Sequence, residues 1–196
     1  MTDAILRRHK EVVLTPVARL TPLPPAAITL AGLVPGVGAA LAAAAGRPWL
    51  AVTLWLVNRL LDGLDGTVAR VTGRQTDLGA YLDIVADFVV YAAVPIGIAA
   101  HAGDRGAWVA AAVLLGTFYV NAISWSFLSA LMERRRIERG LTSVAMPAGL
   151  IEGAETVVLF AVMLTLPAWA RVLMWGMAGA VVLTTVQRVT WALRTL

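Results

Sequence analysis

The chain contains no cysteine, so neither a disulfide nor a thiolate metal site can form. Histidine is scarce too: only His9 and His101 are present, and neither lies near the acidic cluster described below, which argues against zinc. Charge is thin. Asp, Glu, Lys and Arg make up 14% of the 196 residues, whereas soluble domains carry about a quarter. With 59% hydrophobic residues and a mean hydropathy of +0.78, the composition excludes an ordinary soluble domain and points to an integral membrane protein. The net charge of +4 does not suggest nucleic acid as a partner. In a membrane protein, basic residues more often mark cytoplasmic loops and contacts to anionic lipid. No internal repeat, linker or low-complexity tail is visible, and a single domain over 1–196 is expected.

Six stretches approach or exceed the ~20 residues that cross a bilayer core: 27–45, 49–70, 78–100, 107–132, 147–166 and 168–192. Turn signals separate them, among them Gly46-Arg-Pro48, Thr72-Gly-Arg-Gln75, Gly103-Asp-Arg-Gly106 and Pro167. The arm over 1–20 lacks the long apolar core of a signal peptide. Its spacing of Ile5, Leu6, Val12 and Val13 predicts a short amphipathic helix on the membrane surface. The expected fold is therefore all-α and integral to the membrane, with six transmembrane helices in one bundle over 27–192 and an N-terminal interfacial helix.

Charge sets an expected orientation. Arg7, Arg8, Lys10 and Arg19 precede the first span, Arg70 and Arg74 follow the second, Arg134, Arg135, Arg136 and Arg139 follow the fourth, and Arg194 follows the sixth. The alternate loops carry only Arg47, Arg105 and Arg171. The positive-inside rule then puts both termini and the 70–78 connection in the cytoplasm. Trp49, Trp108 and Trp169 open spans two, four and six, where the outer interface would lie.

Into this apolar background the chain sets Asp62-Gly-Leu-Asp65-Gly66-Thr-Val-Ala69-Arg70 and, eight residues on, Gly79-Ala-Tyr-Leu-Asp83-Ile-Val-Ala-Asp87. A charged side chain at the centre of a spanning helix costs roughly 2.5–3.5 kcal/mol on insertion scales, so four uncompensated aspartates would cost on the order of 10 kcal/mol. Asp62 and Asp65 share one face of the second span, and Asp83 and Asp87 share one face of the third. At 1.5 Å per residue the pairs lie at matching depths of roughly 7–8 Å and 12–13 Å on two antiparallel neighbours. Four carboxylates converging there cannot all stay ionised without cations. Two divalent ions would relieve the repulsion and clamp a pyrophosphate, and oxygen donors favour magnesium, manganese or calcium. Gly63, Gly66, Gly79 and Ala69 leave room for a bulky polar ligand, and Arg70 suits bidentate contact to phosphate. Arg59 is a further intramembrane charge, with Asp62 as its natural partner three residues on.

The run resembles the signature of the CDP-alcohol phosphotransferase (CDP-alcohol phosphatidyltransferase) family, D-x2-D-G-x2-A-R-x8-G-x3-D-x3-D, with every fixed position present. The resemblance implies that Asp62, Asp65 and Asp83 are metal ligands and that Asp87 is the general base, sharing a metal as well. It implies that Gly66, Ala69, Arg70 and Gly79 line the pocket for the CDP moiety. Pro25-Ala-Ala-Ile-Thr29 resembles the family's Pro-Asn-x-Leu-Thr segment, which adds Pro25 and Thr29 to that pocket, while Ala26 stands at the asparagine position. Implied with these are a six-helix membrane enzyme, two Mg2+ or Mn2+ ions, a homodimer, and transfer from CDP-diacylglycerol to an acceptor alcohol with release of CMP.

Glycerol 3-phosphate, inositol phosphate, phosphatidylglycerol and a free polyol all fit as acceptors. Arg134, Arg135 and Glu152 are the candidate acceptor contacts, with topology anchoring and helix-start electrostatics as the competing explanations. A cation-coupled transporter is the rival class, since intramembrane carboxylates also mark ion paths. Transport predicts polar residues continuing to the outer face. The runs above Asp62 and Asp87 are instead apolar, interrupted only by Asn58 and Arg59.

Overall fold

The computed structural model describes residues 14–139 and 153–196, and among them every regular element is a helix. A short helix, α1, covers 14–20. It is followed by α2 (Pro25–Ala44), α3 (Pro48–Val71), α4 (Asp77–Ala102), α5 (Arg105–Arg139), α6 (Gly153–Thr165) and α7 (Pro167–Thr195). The starts follow from local chemistry. Proline opens α2, α3 and α7, where its missing N–H would be unsatisfied in any case. The Thr76 hydroxyl caps α4 by accepting from the Gly79 amide at 3.0 Å. Gly103, at φ +67°, ends α4 in the left-handed conformation that glycine adopts without penalty.

Among the described residues four helices, α2, α4, α5 and α7, are long and apolar enough to cross a membrane. The expectation was six. α3 has the length, but Arg59, Asp62, Asp65 and Arg70 lower its hydropathy. The described part of α6 has 13 residues, and the expected start of that span at 147 lies outside the described residues. The expected interfacial helix over 1–20 is described only for 14–20. There Ala18 is fully buried against Ile28 and Val68, so this part of the arm packs onto α2 and α3.

Packing divides the bundle. α2, α3 and α4 form a tight group, α5 pairs with α7, and α6 bridges α3 and α7. Small residues permit the close approach within the first group. A Cβ on Gly97 of α4 would fall on the Ala40 carbonyl of α2, so backbone meets backbone there. Behind this contact sits an aromatic cluster. Trp55, Tyr91, Phe118 and Phe160 have ring centroids 5.3–6.5 Å apart, and the Trp55 indole donates to the Val157 carbonyl of α6 at 3.1 Å. At the end where α3, α5 and α7 begin, Arg171 bridges Asp104 at 3.2 Å, and Trp49, Trp108 and Trp169 are exposed. The Ala107 amide, helped by Arg171, holds the Asp104 carboxyl below the usual carboxylate range.

The Gly97 contact leaves no volume for a side chain. Gly97→Leu is expected to cost about 3 kcal/mol, the upper range for overpacking. It should show as a clear fall in the thermal midpoint of the detergent-solubilised protein. Gly116, whose Cβ direction is open, supplies the control: Gly116→Ala should shift stability by less than about 0.5 kcal/mol.

Candidate active site

Two helix faces build the site. On α3, Asn58, Asp62, Asp65 and Ala69 recur at spacings of four, three and four, which is one face of a helix. On α4, the Thr76 cap sets the register, and Gly79, Asp83, Asp87 and Tyr91 follow at spacings of four. The turn at 72–76 folds these faces against each other, and α2 supplies Thr29 and Gly32 from the third side.

The result is two connected compartments. The deeper one is lined by Thr29, Gly32, Asn58, Arg59, the four aspartates and Ala86, and is barely wide enough for a single water molecule. The second, a cavity of about 180 Å3, opens toward the 72–76 turn. Its walls include all six residues expected at the CDP pocket: Pro25, Thr29, Gly66, Ala69, Arg70 and Gly79. They also include Arg74, Gln75, Thr76 and Ala80, which the motif reading left out. Thr29, Asp65 and Asp83 border both compartments. Arg70 folds over Gly66, its Nη1 standing 3.1 Å from where a Cβ would sit, so any side chain there would displace the guanidinium.

Each carboxylate has a distinct environment. Asp65 is 4% exposed and accepts from the Thr29 hydroxyl at 2.5 Å. That hydroxyl also lies 3.2 Å from the Pro25 carbonyl. It has one proton, and the shorter distance and charged acceptor assign that proton to Asp65. Asp62 and Asp83, from opposite helices, face each other across the deeper compartment that both line. Asp87 accepts from Arg59 Nη2 at 2.7 Å, while Asp62 stands 3.7 Å from Nη1 of the same guanidinium. Asp62, the partner expected for Arg59, is therefore the weaker of two. The stronger one comes from the facing helix, at a sequence distance that local spacing does not reveal.

The donor set fits a hard divalent cation: four carboxylates and a hydroxyl line one cleft. Among the described residues no three acidic or imidazole groups are gathered about a common point. Asp65 is engaged by Thr29, and Asp87 by Arg59.

Arg134 and Arg135, the described acceptor candidates, line neither compartment. Arg134 is exposed near the end of α5. Arg135 donates to the Thr195 and Leu196 carbonyls at 3.2 and 2.9 Å, closing the end of α7. Glu152 lies outside the described residues. The motif reading also missed Tyr91. Its position four residues past Asp87 was the available signal.

Comparison with known proteins converges on one group. Residues 23–186 match the family model described as CDP-alcohol phosphatidyltransferase. The chain is 38% identical over 148 residues to the inner membrane protein YnjF of Escherichia coli strain K12, covering 74% of this chain and 71% of that one. Its fold is similar to that of Mycobacterium tuberculosis phosphatidylinositol phosphate synthase (PgsA1) with CDP-DAG bound, at a TM-score of 0.73 and 28% identity over 91% of this chain and 92% of the other. The same mycobacterial protein in complex with manganese and citrate aligns at a TM-score of 0.68 and 26% identity, covering 90% of this chain and 87% of that one.

Thr29→Val removes the donor to a buried carboxylate while keeping the side-chain shape. An unsatisfied buried acceptor costs about 1–3 kcal/mol. The thermal midpoint of the solubilised Thr29→Val protein should fall accordingly, and Thr29→Ser should restore it. Equal midpoints for valine and serine would show that the Thr29–Asp65 bond carries no weight.

Proposed function

The chain belongs to the CDP-alcohol phosphatidyltransferase family, and on that premise we propose that it transfers a phosphatidyl group from CDP-diacylglycerol to an acceptor alcohol, releasing CMP. The observation that carries this reading is the pairing of a cavity lined by Pro25, Thr29, Gly66, Ala69, Arg70 and Gly79 with an adjoining cleft lined by Asp62, Asp65, Asp83 and Asp87. A nucleotide diphosphate needs both: room and a guanidinium for its cytidylyl half, and, beside its pyrophosphate, carboxylates that could hold neutralising divalent cations.

In this reading Asp62, Asp65, Asp83 and Asp87 hold two divalent ions, magnesium or manganese. When bound, these neutralise the pyrophosphate and the departing CMP. Arg70 reaches the nucleotide-side phosphate as a two-pronged donor, and Gly66 and Gly79 let the ligand approach the backbone. Asp87 accepts the proton of the acceptor hydroxyl as that oxygen attacks the lipid-side phosphorus. The bond formed joins the acceptor oxygen to phosphorus. The bond broken is the anhydride link to CMP, which leaves with the electron pair. Asp65, fixed by Thr29, lies on the border of both compartments, where the pyrophosphate would cross from one to the other.

The proposal includes six membrane crossings by one domain, with both termini and the site facing the cytoplasm across a bacterial-type inner membrane. It also includes the homodimer that the family resemblance implies. In support, Arg70, Arg74, Arg134, Arg135 and Arg194 all lie at the helix ends opposite Trp49, Trp108 and Trp169. For the acceptor we favour a phosphate-bearing alcohol, such as glycerol 3-phosphate or inositol phosphate, met by Arg134, Arg135 and Glu152.

The test is to incubate purified protein with CDP-diacylglycerol, magnesium or manganese and a panel of alcohols, while measuring CMP. Release is expected with at least one acceptor and should vanish with a chelator. Asp87→Asn should bind CDP-diacylglycerol within a few-fold of the parent yet lose turnover by about 10^2–10^4, the usual span for a general base. Near-parental turnover would remove Asp87 from that role.

A further inference from the structure

Arg59 is a charge in the cleft that the chemistry above does not use. Its side chain is 7% exposed. Nε donates to Asn58 Oδ1 at 2.9 Å, Nη1 to the Tyr91 phenol oxygen at 3.1 Å, and Nη2 to Asp87 at 2.7 Å. The guanidinium carbon lies 4.9 Å from the Trp55 ring centroid and 5.2 Å from that of Tyr91. The supports are anchored in turn. Asn58 donates to the Gly32 carbonyl of α2 at 2.9 Å, and Trp55 donates to Val157 of α6. Helices α2, α3, α4 and α6 thus all help to hold this cation at the bottom of the cleft.

Such a cation cannot shed its proton and needs an anion beside it. The anion it takes is Asp87, a carboxylate that the proposed reaction also requires. A divalent ion ligated by Asp87 would stand next to a fixed positive charge of the same sign. We propose that Arg59 is a built-in counter-cation that competes with divalent metal for Asp87. It steadies the acidic cleft while no ion is bound, and it weakens metal binding until the diphosphate of the donor adds its own negative charge. Arg59 is then a positioning residue: it sets where the Asp87 carboxylate rests and how tightly the cleft holds metal without nucleotide. The inference rests on the proposed metal-binding role of the aspartates.

The two ideas separate in a direct Mn2+ titration of the purified protein without nucleotide, read by the electron paramagnetic resonance of free Mn2+. Arg59→Gln should bind Mn2+ about tenfold more tightly than the parent, and Arg59→Lys should fall between them. Tyr91→Phe keeps the ring in the aromatic cluster and removes only the phenol that accepts from Nη1. It should tighten binding by about two- to threefold, and it decides the matter should Arg59→Gln fail to fold. Adding CDP should raise the affinity of the parent for Mn2+ by more than it raises that of Arg59→Gln. An arginine with a merely structural role predicts the reverse: looser Mn2+ binding in every variant. If the parent binds Mn2+ while Arg59→Gln and Tyr91→Phe bind it equally or less tightly, the competition is overturned and the metal site stands. If the parent binds no Mn2+ with or without CDP, the metal reading falls and the inference with it.

Discussion

Everything in this protein is arranged around the cost of placing like charges in a poorly polarisable environment. Asp62, Asp65, Asp83 and Asp87 share one narrow cleft between two helices, barely wide enough for a single water molecule. The fold answers locally with what it has: a hydroxyl from α2 for Asp65 and a guanidinium from α3 for Asp87. Buried charges persist only when paired and hydrogen-bonded. The tight packing of α2, α3 and α4 is what delivers those partners, so the same contacts serve the architecture and the chemistry. Gly36 illustrates the dependence. A Cβ there would strike Val90 and Asn58, and Asn58 is the residue that orients Arg59.

Much of this was legible from residue order because helices convert spacing into faces. The aspartate intervals of three and four put each pair on one side of its helix. Proline and glycine punctuation located the helix starts and turns to within a few residues for α2, α3, α4 and α7. Pro25 and Thr29 were assigned to the nucleotide pocket through resemblance alone, and they do line the same cavity as Gly66, Ala69, Arg70 and Gly79. Length and apolar character were less reliable where a helix does chemistry. α3 carries its polar residues at the expense of the hydropathy by which a span is recognised.

What the sequence concealed were the pairings between distant positions. Thr29 and Asp65 are 36 residues apart, and Arg59 and Asp87 are 28 apart. Each depends on how one helix is rotated against another, which no local interval encodes. Arg59 looked like the companion of Asp62 because pairs three or four residues apart on one helix are the ones that sequence displays. The burial of Tyr91 is of the same kind, since its ring is held by Trp55, Phe118 and Phe160 from three other helices. Arg135 adds a third such pairing, with the end of α7 some 60 residues on.

The aromatic cluster beyond the aspartates bears on direction. Trp55, Tyr91, Phe118 and Phe160 fill the bundle on the side of the cleft away from the α3–α4 turn, leaving its mouth at the turn. On the proposed function, nucleotide would arrive and depart by way of that mouth. On the proposed function such a site is a vestibule, where cleavage of the donor's phosphoanhydride would drive formation of the new phosphodiester.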